Sequence, residues 1–178
     1  MTERIDTSKK FVPVKIAVIT VSDTRTIEND TSGNVLIERL KLAGHELAHH
    51  AIVKDDSDLI EILLNKLIND ESVDIIITTG GTGVTGRDVT PEAFDKVCEK
   101  EIEGFGELFR SLSYQKIGTS SLQSRATAGV AKGTYLFAVP GSPGACKDAW
   151  DGILLHQLDI RHKPCNFIEL MPRLREKD

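Results

Sequence analysis

Residues 73–94 read VDIIITTGGTGVTGRDVTPEAF. Ile75-Ile76-Ile77 is a short β-branched run of the kind that forms strands buried on both faces. It ends in Thr78-Thr79 and breaks at once into Gly80-Gly81-Thr82-Gly83. Four small residues at the carboxyl end of a buried strand let a ligand approach the backbone, with free N–H groups to face an anion. Arg87 and Asp88 follow in the same loop, and Thr90-Pro91 reads as N-cap and first helical residue, with Glu92 in the first turn. A mere turn needs neither this run of glycines nor an Arg-Asp pair, whereas a phosphate-sized ligand with a metal ion suits both.

Two motifs inside the stretch are decoys. Gly81-Thr82-Gly83-Val84-Thr85-Gly86 matches G-x-G-x-x-G, but that fingerprint opens a helix among its glycines and follows the first strand of its unit. Here the helix start falls after the glycines, and two apolar strands come earlier. A Walker-type loop would end in Gly-Lys-Ser/Thr, and Arg-Asp-Val follows Gly86.

Working outward, Lys15–Val21 (KIAVITV) is an apolar strand that ends in Ser22-Asp23. Thr31 or Ser32 is the expected cap of a helix carrying Leu36 and Leu40 and closed by Gly44. Glu46–Val53 is a second strand, ending in Lys54-Asp55-Asp56. Ser57 is the expected cap of an amphipathic helix with Ile60, Leu64 and Leu67. Strand and helix thus alternate three times, which predicts a mostly parallel sheet with helices on both faces. In such sheets ligands bind beyond the carboxyl ends of the strands. Ser22, Asp23, Asp55 and the Gly80–Asp88 loop all fall there.

Downstream, Glu103-Gly104-Phe105-Gly106 reads as a break before a further helix, and residues 118–125 (GTSSLQSR) as a polar loop bordering the site. Ala126–Ala131 and Tyr135–Val139 read as an antiparallel pair joined at Lys132-Gly133, which makes the sheet mixed. Pro140-Gly141-Ser142-Pro143-Gly144 then caps a helix with proline at its start, a second anion cradle. Residues 1–10 read as a flexible tail and 11–178 as one domain. The polar, basic ending from Arg161 is expected to cover an edge or a subunit contact.

The chain has 178 residues, 40% hydrophobic and 28% charged, enough for one domain with a substantial core. Its net charge of -5 argues against nucleic-acid binding. The polar start lacks a signal-peptide core, and no apolar run reaches the roughly 20 residues of a membrane span. A cytoplasmic protein is the expectation. Cys98, Cys146 and Cys165 lie far apart without C-x-x-C, against a zinc site or disulfide framework and for small buried residues. The five histidines show no ligand spacing.

Asp55 and Asp88 would face a ligand held by glycine amides. Paired carboxylates beside a phosphate cradle suit Mg²⁺, which takes one or two of them plus substrate phosphates, with Arg87 as a positive clamp. The residues by themselves reach a Mg²⁺-dependent nucleotide or phosphate enzyme and no further.

Thr78-Thr79-Gly80-Gly81-Thr82-Gly83 with Arg87-Asp88-Val89-Thr90-Pro91-Glu92-Ala93 resembles the signature of the MoaB/MogA molybdopterin-binding family. Pro140-Gly141-Ser142-Pro143 matches its second turn. Thr20-Val21-Ser22-Asp23, Asp30-Thr31-Ser32-Gly33, Leu122-Gln123-Ser124-Arg125-Ala126 and Pro164-Cys165-Asn166-Phe167 point to the MoaB branch. The resemblance spans residues 14–167. It implies a three-layer α/β/α fold, a homo-oligomer (trimer or hexamer), and adenylylation of molybdopterin by Mg²⁺-ATP with release of pyrophosphate. It also implies that Asp88 holds Mg²⁺ and orients the phosphates, with Asp55 in support. Gly80, Gly81, Thr82 and Gly83 would hold phosphates, with Arg87, Thr90, Pro91 and Glu92 in the same loop. Ser22, Asp23, Gly141, Ser142 and Pro143 would line the pocket. Lys54 departs from the proline that the family often has before the first Asp. A non-catalytic molybdopterin-binding or scaffold protein is the alternative.

Overall fold

A computed structural model describes residues 5–176. Six strands form one sheet in the order β2-β1-β3-β6-β5-β4. They are β1 (Lys15–Val21), β2 (Glu46–Val53), β3 (Ile75–Thr79), β4 (Lys100–Glu101), β5 (Thr127–Ala131) and β6 (Thr134–Val139). The pairs β1–β2, β1–β3 and β3–β6 are parallel, while β5 runs antiparallel to both β6 and β4. The expected mixed α/β/α sheet is therefore present, with β3 near its middle.

Ile75, Ile76 and Ile77 are all fully buried. Side chains alternate across a strand, so Ile75 and Ile77 enter one core with Val18, Leu36, Phe137 and Trp150, while Ile76 enters the other with Ile19, Ile60, Leu64 and Phe94. The first core lies under α1 (Thr31–Leu42), α4 (Glu103–Ile117) and α5 (Pro143–Ala149); the second lies under α2 (Ser57–Ile68) and α3 (Thr90–Val97). A strand apolar at successive positions needs cover on both sides, and the five helices supply it.

The helix starts correct three expectations. Asp30, not Thr31 or Ser32, caps α1, its side chain accepting from Gly33 N–H at 2.9 Å. Asp56, not Ser57, caps α2, accepting from the N–H groups of Asp58 and Leu59 at 3.0 and 3.1 Å. In both places a carboxylate one or two residues upstream is the charged, stronger acceptor. At α3 the cap position is Val89, and the hydroxyl of Thr90 donates 2.9 Å to the carbonyl of Gly80 instead.

Two further expectations change. Glu103–Gly106 does not break the chain: α4 begins at Glu103 and runs through both glycines. A Cβ on Gly106 would stand 2.4 Å from the Ala126 carbonyl, so this glycine lets α4 pack closely rather than ending it. The break comes earlier, at β4. Of the expected tail, residues 1–4 lie outside the described residues, but Ile5 bridges to His162 and Asp6 N–H donates 2.7 Å to the Arg161 carbonyl. Lys9 pairs with Glu169 and Lys163 with Asp6, so acidic and basic ends hold each other.

The carboxyl-terminal segment covers a sheet face and a turn rather than the expected edge, because β6 is an interior strand. Phe167 packs on Tyr135 and Phe137 with ring centroids 4.9 and 5.7 Å apart, and Arg175 Nε donates 2.9 Å to the Lys132 carbonyl at the β5–β6 turn. Cys146 is buried and Cys98 partly so, but Cys165 is exposed, beyond the reach of either core. Among the described residues no helix is long and apolar enough to cross a membrane.

Candidate functional site

The sheet order puts β2 on one side of β1 and β3 on the other, so the crevice beyond their carboxyl ends is a topological switch point. Three loops meet there. Asp23, after β1, accepts the Asp55 N–H at 3.3 Å on one carboxylate oxygen and pairs through the other with Arg87 of the glycine loop. One side chain thus joins the ends of β1, β2 and β3. Ser22 serves the turn itself: its hydroxyl oxygen accepts the N–H groups of Thr24 and Arg25, each at 3.2 Å.

The glycine loop is built on left-handed backbone. Gly80 has φ +107° and Gly81 φ +64°, conformations that L side chains rarely adopt. A Cβ on Gly80 would fall 2.2 Å from the Val21 carbonyl, so the loop lies directly against the end of β1. A Cβ on Gly81 would meet Thr90 Oγ1 at 2.4 Å and Asp55 Oδ1 at 3.4 Å. At Gly83 it would meet Asp88 Oδ2 at 2.7 Å. Asp55 and Asp88 therefore both border the short run from Gly81 to Gly83, although they lie 33 positions apart by number.

The two carboxylates differ in setting. Burial pushes the Asp55 carboxyl above its ordinary value, and the neighbouring Asp23 charge pushes the same way. For Asp88, burial also acts upward, but hydrogen bonds from the Thr85 hydroxyl and N–H and from Gly83 N–H outweigh it and hold the group low. The Thr85 contacts measure 2.6 and 2.8 Å, both to Asp88 Oδ2. Asp88 is consequently ionised and already serves as the internal anchor of its loop. Asp23 is likewise held low by the hydrogen bond from Arg87.

Several expected ligand-facing residues sit elsewhere. Thr90 is fully buried and Pro91 is buried, because the Thr90 hydroxyl is spent on Gly80 and the proline starts α3 against the core. Glu92 pairs with Arg125, and Arg87 is held by Asp23 rather than standing free. Thr90→Val keeps the volume but strands the Gly80 carbonyl in the interior. The expected loss is about 1–3 kcal/mol of stability, read as a lower urea midpoint at unchanged slope.

Pro140-Gly141-Ser142-Pro143 abuts the glycine loop as expected: a Cβ on Gly141 would stand 3.1 Å from Gly80 Cα. Ser142 caps α5, accepting the Ala145 N–H at 3.2 Å, and Pro143 is its first residue. Between this turn and Thr82-Gly83 lies a cavity of about 200 Å³, lined also by Phe109, Ser121, Gln123 and Ser124. It adjoins a groove of about 710 Å³ between α4 and α5, sharing Ser113, Ile117, Ser142 and Ala145 with it. Neither space is lined by Asp55 or Asp88; the cavity reaches the glycine loop at Thr82 and Gly83, and the carboxylates border the same run at Gly81 and Gly83.

Among the described residues no group of three or more His, Cys, Asp or Glu could hold a metal by itself. The donor set fits only a cation that brings much of its own coordination. Mg²⁺ on a substrate phosphate is such a cation, needing one or two protein carboxylates.

These features define a three-layer α/β domain with a ligand crevice at the β1/β3 switch point. Residues 17–160 match the family described as "Probable molybdopterin binding domain", and the chain belongs to that family. Molybdenum cofactor biosynthesis protein B of Escherichia coli (strain K12) is 48% identical over 160 residues, covering 90% of this chain and 94% of that protein. A crystal structure of molybdenum cofactor biosynthesis protein B superposes with a TM-score of 0.85 at 39% identity, covering 95% of this chain and all of that one (100%). The tungsten cofactor synthesizing protein MoaB from Pyrococcus furiosus gives 0.76 at 34% identity, covering 92% and 98%.

Proposed function

We propose that this chain works in molybdenum cofactor biosynthesis, binding molybdopterin and adenylylating it with Mg²⁺-ATP. The observation that carries the reading is that Asp55, Asp88 and a serine-lined cavity all meet at the Gly81–Gly83 backbone. The cavity offers serine hydroxyls and the Gln123 amide to a polar heterocycle, with Phe109 as an apolar wall. The glycine loop then lies where the phosphate of such a ligand would end.

In the reaction the terminal phosphate oxygen of molybdopterin attacks the α-phosphorus of ATP. A new P–O–P bond forms, the bond from the α-phosphorus to the α,β-bridging oxygen breaks, and pyrophosphate leaves with that electron pair. Asp88 and Asp55 would hold Mg²⁺, which when bound neutralises charge on the reacting phosphates. Asp88 is suited to this because it is ionised and its Oδ1 makes no hydrogen bond to Thr85. The small loop residues let phosphate oxygens come close to the backbone, and the work is positioning and charge stabilisation rather than covalent catalysis. Arg87 would exchange Asp23 for a phosphate oxygen.

The location of the cavity away from both carboxylates favours a second reading, a non-catalytic molybdopterin-binding protein. Pyrophosphate release from Mg²⁺-ATP, with and without molybdopterin, separates the two. Release that depends on molybdopterin is expected. Tight molybdopterin binding without release would leave the binding protein, and ATP turnover that needs no pterin would mean a different Mg²⁺-nucleotide enzyme.

A further inference from the structure

One cation contacts the glycine loop from a distant part of the chain. Arg125 follows the 3₁₀ turn of residues 118–123 and is half-buried. Its N–H donates 2.8 Å to the Thr82 carbonyl. Its guanidinium donates from Nε to the Gly83 carbonyl at 2.6 Å, from Nη2 to the Asp88 carbonyl at 2.7 Å, and from Nη1 to the Glu92 carboxylate. The two carbonyls are the ends of the Gly83–Asp88 segment. Between them Val84, Thr85, Gly86 and Arg87 are all exposed, so the segment is held by hydrogen bonds, those of Asp88 with Thr85 inside it and those of Arg125 across its ends, rather than by burial.

We infer that Arg125 is a positioning residue: by tying the carbonyls of Gly83 and Asp88 to one planar group, it fixes where the Asp88 carboxylate stands. Two of its three guanidinium partners are neutral carbonyls, so the geometry of the fork matters more than its charge. A lysine ammonium is a point donor on a flexible stem and cannot span the same acceptors in one plane. The functional meaning of this arrangement rests on the Asp88 reading above; the structural claim does not.

The test uses the full chain with Arg125→Lys and Arg125→Gln, followed by amide hydrogen exchange, thermal unfolding and calorimetric titration with Mg²⁺-ATP. Both variants are expected to exchange the 83–88 amides about tenfold faster, with exchange elsewhere unchanged. Lysine is expected not to rescue glutamine. Mg²⁺-ATP affinity should fall about tenfold in each, with no further loss when the change is added to Asp88→Asn, because a residue acting through Asp88 is not additive with it. Loop exchange equal to wild type in both variants, or a fully additive double variant, would overturn the inference. If wild type binds no Mg²⁺-ATP, the catalytic reading falls while the exchange result still decides the role of Arg125. Should the Arg125 variants not fold, Glu92→Ala frees one arm of the guanidinium; a loop-confined rise in exchange of roughly threefold supports the inference, and none refutes it.

Discussion

Asp30→Ala is expected to remove about 3–5 kcal/mol of stability, by taking the acceptor from several buried hydrogen bonds and the cap from α1. Asp30 is fully buried. Its carboxylate receives the Thr20 hydroxyl at 2.7 Å, His50 Nε2 at 2.8 Å, the Gly33 N–H at 2.9 Å and the Ser32 hydroxyl at 3.4 Å. Alanine would leave these polar groups in the interior without their acceptor and would uncap α1. Stabilities of domains run to roughly 5–15 kcal/mol, so the variant should melt lower by roughly 6–20 °C. Chemical unfolding of both proteins checks the figure; a change below about 1 kcal/mol would show that the network is not a stabilising one.

The same carboxylate sets a pH dependence. Burial raises its pKa, but the hydrogen bonds from His50, Thr20 and Gly33 more than offset this, so the folded value lies below the ordinary one. A depressed folded value contributes stability that is present above the unfolded pKa of about 3.9 and is lost as pH falls through the folded one. Below about pH 4 the wild type should therefore lose stability more steeply than Asp30→Ala. Because Thr20 ends only two residues before Ser22, losing this network should also loosen the crevice loop after β1.

Asp88→Asn is expected to cut molybdopterin-dependent pyrophosphate release by roughly 100-fold or more, about 2.7 kcal/mol in the barrier. The amide oxygen of asparagine can still accept from Thr85 N–H and hydroxyl, which both use Oδ2, so the loop should keep its shape. The negative charge offered to Mg²⁺ is lost. Unfolding should consequently shift by no more than about 1 kcal/mol. Asp55→Asn should cost less, roughly tenfold, in keeping with a supporting role beside Asp88. Full activity in Asp88→Asn with a large loss of stability would reduce Asp88 to an anchor for its loop. Steady-state rates at several Mg²⁺ concentrations, together with urea unfolding, distinguish the outcomes.

Much of this architecture follows from short-range patterns. Three isoleucines in succession demand cover on both faces, and Gly80-Gly81 at their end can only be a turn that approaches other backbone. Strand–helix alternation specifies a mostly parallel sheet, and Lys132-Gly133 between two apolar runs specifies a hairpin, with φ of +48° and +87°. These features depend on residues within one element or its immediate flank, where period and turn chemistry act directly. Caps were legible only as a choice among neighbours, since Asp30 competes with Thr31 and Asp56 with Ser57 for the same N–H groups.

What tertiary structure alone decided is the partnering of polar side chains across the fold. Asp23 with Arg87, Asp30 with His50 and Arg125 with Gly83 span 64, 20 and 42 positions. No periodicity encodes such pairs, because hydrophobic pattern reports which face is buried and not which charge it meets. The sheet order, with β6 beside β3, brings the Ser142 turn to the glycine loop; the packing of α4 on the sheet forms the serine-lined cavity between them. The carboxylates themselves were visible in the sequence. That one is pushed up by burial and the other held low by its own loop depends on surroundings that exist only after the chain has folded.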